Sequence, residues 1–416
     1  MIPRPYYMEW LQQWKDRDVI KVVIGMRRAG KSTILKMFQE ELMRSGIPES
    51  NIVSINFESL DEEYPTNYKV LYDYIVNRLA TTGTNYVFLD EVQTIDEFEK
   101  TVGALYVRDD VDLYLTGSNA FLLSGEIATL LTGRYVEILV HPYSFAEYCS
   151  ALEHSANDGN AFSLEFPMKF KSSLPAKEEA FNNYLTYGGL PYAATLSDGQ
   201  TISQYLEGVF STILMRDIAP RRPRMDMQAF RATTSFLADN IGNISSLRKI
   251  ADILASQGSE VSRNSIAEYV ESLTSSFLLY KASRYDLKGK AYLRTLEKYY
   301  LSDLGFRYWL LGKDAGDIGR RIENLVYLEL RRRYSRVDIG KQDSSEVDFV
   351  ARTEGITHYY QVAQTVLDES TLKRELSSLQ SIKDNHPKTL LTLDHIGTGN
   401  MDGIAHINLI GWLLER

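Results

Sequence analysis

The first third of the chain alternates short apolar runs with stretches of helical period. Residues 20–24, IKVVI, have the pattern of a buried strand, and residues 52–57, 86–89, 113–116 and 136–140 repeat it. Helical patterns lie between most of these runs, including an amphipathic stretch over 33–43. Short buried strands separated by helices predict a parallel sheet covered on both faces, because parallel strands need crossovers to join them.

Past residue 150 the pattern changes. Residues 151–177 are weakly periodic and rich in Ser, Asn, Gly and Pro, and they read as a surface loop or insertion. Residues 178–210 are helical, broken by Gly188-Gly189-Leu190-Pro191. Pro220-Arg221-Arg222-Pro223-Arg224 reads as a linker, since two prolines interrupt any helix. Three amphipathic helices follow over 225–280. Strand-like runs at 278–282 and 291–296 then flank the glycine-containing turn Asp286-Leu287-Lys288-Gly289-Lys290. Three helices and a hairpin are the order of a winged helix-turn-helix. A helix over 322–333 then precedes strands near 347–351 and 358–362, a helix near 371–382 and a strand at 389–393, a small α/β domain. The expected division is 1–150, 151–220, 221–312 and 313–416.

Composition narrows the class. With 416 residues, 44% hydrophobic and 24% charged, the chain is that of an ordinary globular protein, not a disordered or disulfide-stapled one. A net charge of −9 excludes a wholly basic nucleic-acid coat, though not a local basic patch. The single cysteine, Cys149, has no internal partner and fits a reducing compartment. Residues 1–20 carry charges throughout, so no signal peptide is expected. No apolar run reaches membrane-spanning length, and a cytoplasmic location follows as the expectation.

The sharpest chemistry lies at Gly25-Met26-Arg27-Arg28-Ala29-Gly30-Lys31-Ser32, which matches G-x-x-x-x-G-K-[ST] at every fixed position. It follows a strand and opens a helix, as a phosphate-binding loop must. Glycines 25 and 30 let the backbone curl so that N–H groups face phosphate oxygens, and the helix N-terminus adds partial positive charge. Gly25, Arg28, Ala29, Gly30, Lys31, Ser32 and Thr33 are the expected nucleotide contacts. Lys31 would reach the outer phosphates, and the Ser32 hydroxyl would ligate magnesium.

A second element agrees. Tyr86-Val87-Phe88-Leu89-Asp90-Glu91 is an apolar strand ending in two acids. At the carboxyl end of a parallel strand they lie beside the phosphate loop. Asp90 is the expected magnesium ligand, through water, and Glu91 the group that orients or deprotonates the attacking water. The strand ending in Thr116-Gly117-Ser118-Asn119 offers Asn119 or Ser118 to the γ-phosphate or that water. Arg134, in Leu131-Thr132-Gly133-Arg134, is a candidate arginine finger.

These elements, in this order, resemble the AAA+ ATPases. More closely, the chain resembles prokaryotic ATPases in which an AAA+ module is fused to a winged helix and a C-terminal nuclease-like domain. The stretches that carry the resemblance are GMRRAGKST, YVFLDEVQ, LTGSNAFLLS, LTGRYVEILVHPYSFAEY, YLTYGGLP, ENLVYLELRRR, EVDFV and YYQVAQT. It implies an α/β P-loop NTPase core over 1–150, an insertion and helical lid over 151–220, a winged helix over 221–312 and a restriction-endonuclease-like domain over 313–416. It also implies ATP and Mg2+ as cofactors, with Arg134 acting on a neighbouring subunit of a homo-oligomer. Arg216 is a candidate second sensor.

In the nuclease-like domain the resemblance points to Glu323 on a helix and Asp348 on a strand. The third element, Gln361-Val362-Ala363, places alanine where such enzymes carry lysine. Loss of the ammonium group implies a fold kept without nuclease activity. In the winged-helix segment, Arg263, Asn264 and Glu268 would face a DNA groove, with Lys288 and Lys290 on the wing. Arg221, Arg222, Arg224 and Arg331 to Arg333 are further basic clusters. Acids at 268 and 271 repel phosphate, so DNA and a protein client both remain open as partners. Tyr299-Tyr300 and Tyr359-Tyr360 are expected in the core. The function expected is Mg-dependent ATP hydrolysis coupled to movement of the other domains; the alternative is a nucleotide-gated DNA-binding or protein-interaction switch with negligible turnover.

Overall fold

The computed structural model describes residues 2–59, 67–120, 133–157, 174–256, 258, 261–289, 291–313, 317–342 and 345–415, excepting the side chains of 155–157, 174, 175 and 293–295. The chain forms two compact units, one of residues 1–142 with 275–277, the other of 143–274 with 278–416.

In the first unit, helix α1 (Pro5–Trp14) precedes strand β1 (Ile20–Ile24), α2 (Lys31–Arg44), β2 (Ile52–Asn56) and α3 (Tyr68–Val76). Strand β3 (Asn85–Asp90), α4 (Phe98–Tyr106), β4 (Val111–Gly117) and β5 (Tyr135–Leu139) follow. The five strands are parallel in the order β2-β3-β4-β1-β5. All five predicted strands are present within one or two residues of the expected limits. The core gathers Val23, Phe88 and Tyr114 from the sheet with Ile34, Leu35 and Phe38 from α2, and Tyr7 and Leu11 from α1. One polar residue sits in the middle of β1: Lys21 is fully buried and is neutralised by Asp112 of β4.

The second unit opens with α5 (Phe145–Asn157), α6 (Leu174–Tyr187), α7 (Gly199–Ile213), α8 (Met227–Asp239), α9 (Leu247–Ser256) and α10 (Arg263–Ser275). Helix α5 occupies the start of the segment expected to be a loop. Its first turn is fixed by a reciprocal cap, in which the Glu147 N–H donates to Ser144 Oγ at 3.1 Å and the Ser144 N–H to Glu147 Oε2 at 2.8 Å. Residues 158–173 of that segment lie outside the described residues. Strands β6 (Leu279–Asp286) and β7 (Ala291–Leu301) form the hairpin, and α11 (Gly305–Leu311) and α12 (Ile318–Arg333) follow. Then come β8 (Arg336–Gln342), β9 (Ser345–Thr353), β10 (Ile356–Val362), α13 (Glu369–Gln380), β11 (Lys388–Thr392), β12 (Gly399–Met401), β13 (Ile404–Asn408) and α14 (Leu409–Leu414).

The hairpin differs from a free wing. Arg284 to Asp286 of β6 pair in parallel with Ile339 to Lys341 of β8. One eight-stranded sheet therefore runs β12-β13-β11-β10-β9-β8-β6-β7 across the expected boundary at 312. The pairing satisfies backbone groups that an isolated edge would leave open. Tyr299, Tyr300, Tyr359 and Tyr360 are all buried in this unit.

Gly188-Gly189-Leu190-Pro191 is a structural junction. The Gly189 N–H donates to Asp303 Oδ2 at 2.7 Å, and the Gly305 N–H to Oδ1 at 2.8 Å. A Cβ at Gly188 would lie 1.8 Å from Asp303 Oδ1, so only glycine fits there.

Candidate functional site

The phosphate loop leaves the carboxyl end of β1 and enters α2. Gly25, at φ +146°, is pressed against β5's exit: a Cβ there would meet the Val140 carbonyl oxygen at 2.3 Å. Gly30, at φ 99°, precedes the first residue of α2. Arg28 between them is also left-handed, at φ 66°, a conformation unusual outside glycine. A buried arginine far away in sequence holds the loop. Arg4 donates from Nη1 to the Ala29 carbonyl and from Nη2 to the His141 carbonyl, both at 2.9 Å.

Lys31 is 4% exposed, whereas Ser32 and Thr33 face solvent at the helix start. Lys31 Nζ donates to Ser118 Oγ at 2.7 Å and to the carbonyls of Gly25 at 3.1 Å and Met26 at 3.3 Å. Ser118 Oγ in turn donates to Glu91 Oε1 at 2.5 Å. The side chain of Gln93 holds the other carboxylate oxygen at 2.6 Å. Glu91 adopts φ 56°, which ends β3, and its N–H donates to Thr116 Oγ1 at 2.8 Å. Thr116 Oγ1 donates to Asp90.

The two acids are set apart electrostatically. Burial pushes the Asp90 carboxyl up, with hydrogen bonds from Thr116 and Ser32 opposing it only in part. Burial acts the same way on Glu91, but the Lys31 ammonium, the Ser118 hydroxyl and Arg27 outweigh it and hold that carboxyl below its ordinary value. Arg27 is itself tied to Glu58 at 2.6 Å.

The geometry thus brings Lys31, Ser32, Asp90 and Glu91 together. Asn119 is buried one residue past the contact, and Ser118 makes the bridge. Arg134 is not brought to this site. It precedes β5 at the end where Ile20 pairs with Tyr135, while the loop follows Ile24 at the other end. The length of β1, roughly 16 Å at about 3.3 Å per residue, separates them. Its exposed guanidinium lies over the Tyr106 ring, 5.5 Å from the centroid. Leu131 and Thr132 before it lie outside the described residues. Sequence reasoning missed Arg4 and Thr116: nothing local marks an arginine 25 residues before its acceptor or a threonine inside an apolar strand.

In the second unit, Glu323 of α12 and Asp348 of β9, both half-buried, form one polar cluster with the buried Gln361 of β10. The Val362 N–H donates to Asp348 Oδ2 at 2.8 Å, and Gln361 Nε2 to Glu375 Oε2 at 2.8 Å. An ammonium group reaches this cluster from another strand. Lys298 of β7 donates to Glu323 Oε1 at 2.9 Å and lies 2.7 Å from Glu346 Oε1. Burial lowers the Lys298 pKa, but Glu323, Asp348 and Glu346 more than offset this and hold it above its ordinary value.

The basic clusters are largely spoken for. Arg222 pairs with Glu271 at 2.7 Å and lies 3.9 Å from Glu268; Arg332 and Arg333 pair with Glu329 at 3.2 and 2.8 Å. Arg263, Asn264, Arg216 and Lys288 are exposed, and Lys290 lies outside the described residues. Among the described residues, no helix is long and apolar enough to cross a membrane. None of their His, Cys, Asp and Glu side chains form a group of three or more that could hold a metal.

A parallel sheet with a glycine-cradled lysine at one strand end and paired acids at another defines a nucleotide-binding protein of the AAA class. In agreement, residues 17–149 match a family described as AAA domain, and residues 178–317 match a domain of unknown function (DUF8612). The chain is 37% identical over 416 residues to an uncharacterized protein of Haemophilus influenzae, covering 100% of this chain and 99% of that one, and it belongs to the same family. It is 27% identical to uncharacterized protein MJ1544 of Methanocaldococcus jannaschii, covering 94% of this chain and 84% of that one. Among solved structures it is similar in fold to the Walker-type ATPase PABY2304 of Pyrococcus abyssi. There the TM-score is 0.50 at 17% identity, covering 74% of this chain and 96% of that one.

Proposed function

We propose that this chain hydrolyses ATP with the aid of Mg2+. The observation that carries the reading is the bridge Lys31–Ser118–Glu91, which joins the phosphate loop to the acid beyond β3. Lys31 is satisfied by two loop carbonyls and Ser118; phosphate oxygens would take their place. The loop residues Gly25, Arg28, Ala29, Gly30, Lys31, Ser32 and Thr33 would hold the phosphates. Ser32 and Asp90 fit a magnesium ion, because Mg2+ needs only one or two protein ligands beside phosphates and waters. That ion would neutralise charge developing on the transferred phosphoryl group.

Glu91, ionised and held by Ser118 and Gln93, would orient and deprotonate the attacking water. Asn119 would contact the γ-phosphate. Arg134 would serve the site of a second copy, since its own loop lies at the far end of β1. A chain without a neighbour would then bind nucleotide with negligible turnover and behave as a switch. The choice of adenine rests on the AAA class, and coupling of the cycle to the second unit belongs to the same proposal. The test is ATP turnover per chain across protein concentrations, with Lys31→Ala as the blank. Turnover above the blank that rises with concentration is expected. Turnover at the level of the blank throughout would replace the ATPase reading with the switch.

A further inference from the structure

We propose that a pocket in the second unit, walled by α6, α11 and α12, binds a phosphate group. The cavity has a volume of about 10 Å3 and is lined by Arg307, Tyr308, Lys313 and Arg321, among others. That is room for one water-sized atom, so a single phosphate oxygen enters while the rest of the group meets the rim. Arg307 is 4% exposed, and Arg321 is half-buried beside it. Among the described residues the buried Arg321 Nε has no hydrogen-bond partner, an arrangement that an entering acceptor would relieve.

The charges facing the pocket favour an anion. Three cations line it, Arg307, Lys313 and Arg321, and Arg320 lies close to Arg307. Of the two carboxylates near them among the described residues, Asp239 is largely exposed and lies 3.6 Å from Arg307 Nη2. Asp317 is held by Arg320 Nε at 2.8 Å and caps α12 through the Arg320 N–H at 3.2 Å. Burial lowers the pKa of Arg307 and Arg321, and Arg307 is lowered further by Arg321, a like charge close by. Two adjacent guanidinium groups match a phosphate, whose several oxygens can bond both. The group can come from free phosphate or from a nucleic-acid backbone.

The test uses the full chain carrying Lys31→Ala, which removes the ammonium of the phosphate loop. Equilibrium dialysis against labelled inorganic phosphate should show binding that weakens about tenfold in Arg321→Gln and measurably in Lys313→Gln. Both positions are at least partly exposed, so neither variant threatens the fold. Arg248→Gln, at an exposed arginine of α9, should bind as the parent does. If the source is a nucleic-acid backbone, a labelled DNA duplex displaces phosphate and itself binds about tenfold more weakly to Arg321→Gln. If the source is free phosphate, the duplex displaces nothing. Absence of binding, or binding of phosphate and duplex that ignores both substitutions, would overturn the proposal.

Discussion

Lys31 and Glu91 face each other across 3.4 Å with side chains only 3% and 7% exposed. Two opposite charges taken so far out of water are stable only while each has partners, and Ser118 supplies one to both. Glu91→Gln keeps the shape and a hydrogen-bond acceptor for Ser118 while removing the base. Nucleotide binding should persist and turnover should fall by about two to four orders of magnitude. Ser118→Ala, which breaks the bridge but spares both charges, should lower turnover by about tenfold. Steady-state turnover with a nucleotide-binding assay reads both. Unchanged turnover in Glu91→Gln would remove that residue from the chemistry.

The position of Arg134 makes a different prediction. If it completes a neighbour's site, Arg134→Ala and Lys31→Ala chains are each inactive, yet mixing them restores part of the turnover, because some pairs combine an intact loop with an intact arginine. Mixtures as inactive as the separate variants would refute action in trans.

Asp303 should give the second unit a pH-dependent stability. Burial pushes its carboxyl from 3.8 up to about 6, against hydrogen bonds from the backbone N–H groups of Gly189 and Gly305. The folded value is the higher one, so the folded chain binds the proton more tightly. The stabilisation is present at low pH and is lost as pH rises from about 4 through about 6, amounting to roughly 3 kcal/mol. Urea unfolding of wild type and Asp303→Asn over that window should show the difference between them shrinking or inverting as pH rises. Parallel curves would count against the shifted carboxyl.

Lys298 should act as the built-in counter-ion of the Glu323–Glu346–Asp348 cluster. Lys298→Met leaves half-buried carboxylates facing one another, at a cost of about 1–3 kcal/mol. Without nucleotide, the wild type should melt at the same temperature with or without Mn2+, whereas Lys298→Met should gain Mn2+-dependent stability. DNA cleavage by the wild type with Mg2+ or Mn2+ that disappears in Asp348→Ala would sink this account, since the cluster would then hold a working metal.

A buried pair also supports the first unit. Lys21 has no solvent exposure and Asp112 has 4% at the side chain. Asp112→Ala leaves an ammonium uncompensated inside the sheet and should cost about 3–5 kcal/mol in chemical denaturation, while turnover of the folded fraction is unaffected. A loss below about 1 kcal/mol would mean that water reaches Lys21.

The strands of the first unit and the phosphate loop were legible in the sequence because each is a local pattern. A strand buried on both faces must be apolar along its length. A loop that curls around phosphate must carry glycine where a Cβ would strike Val140, and glycine also suits the φ of 99° at position 30. Asp90 and Glu91 were legible for the same reason, since the end of an apolar run marks the end of a strand. Partners that meet across elements left no such mark. Arg4 reaching Ala29, Ser118 joining Lys31 to Glu91, and Lys298 meeting Glu323 depend on which strands lie side by side. Lys298 of β7 reaches Glu323 because the hairpin joins the C-terminal sheet through β8. Spacing along the chain determined the elements and the loop chemistry; the tertiary structure alone decided which charges are buried together, because burial and strand order are properties of the packed sheet.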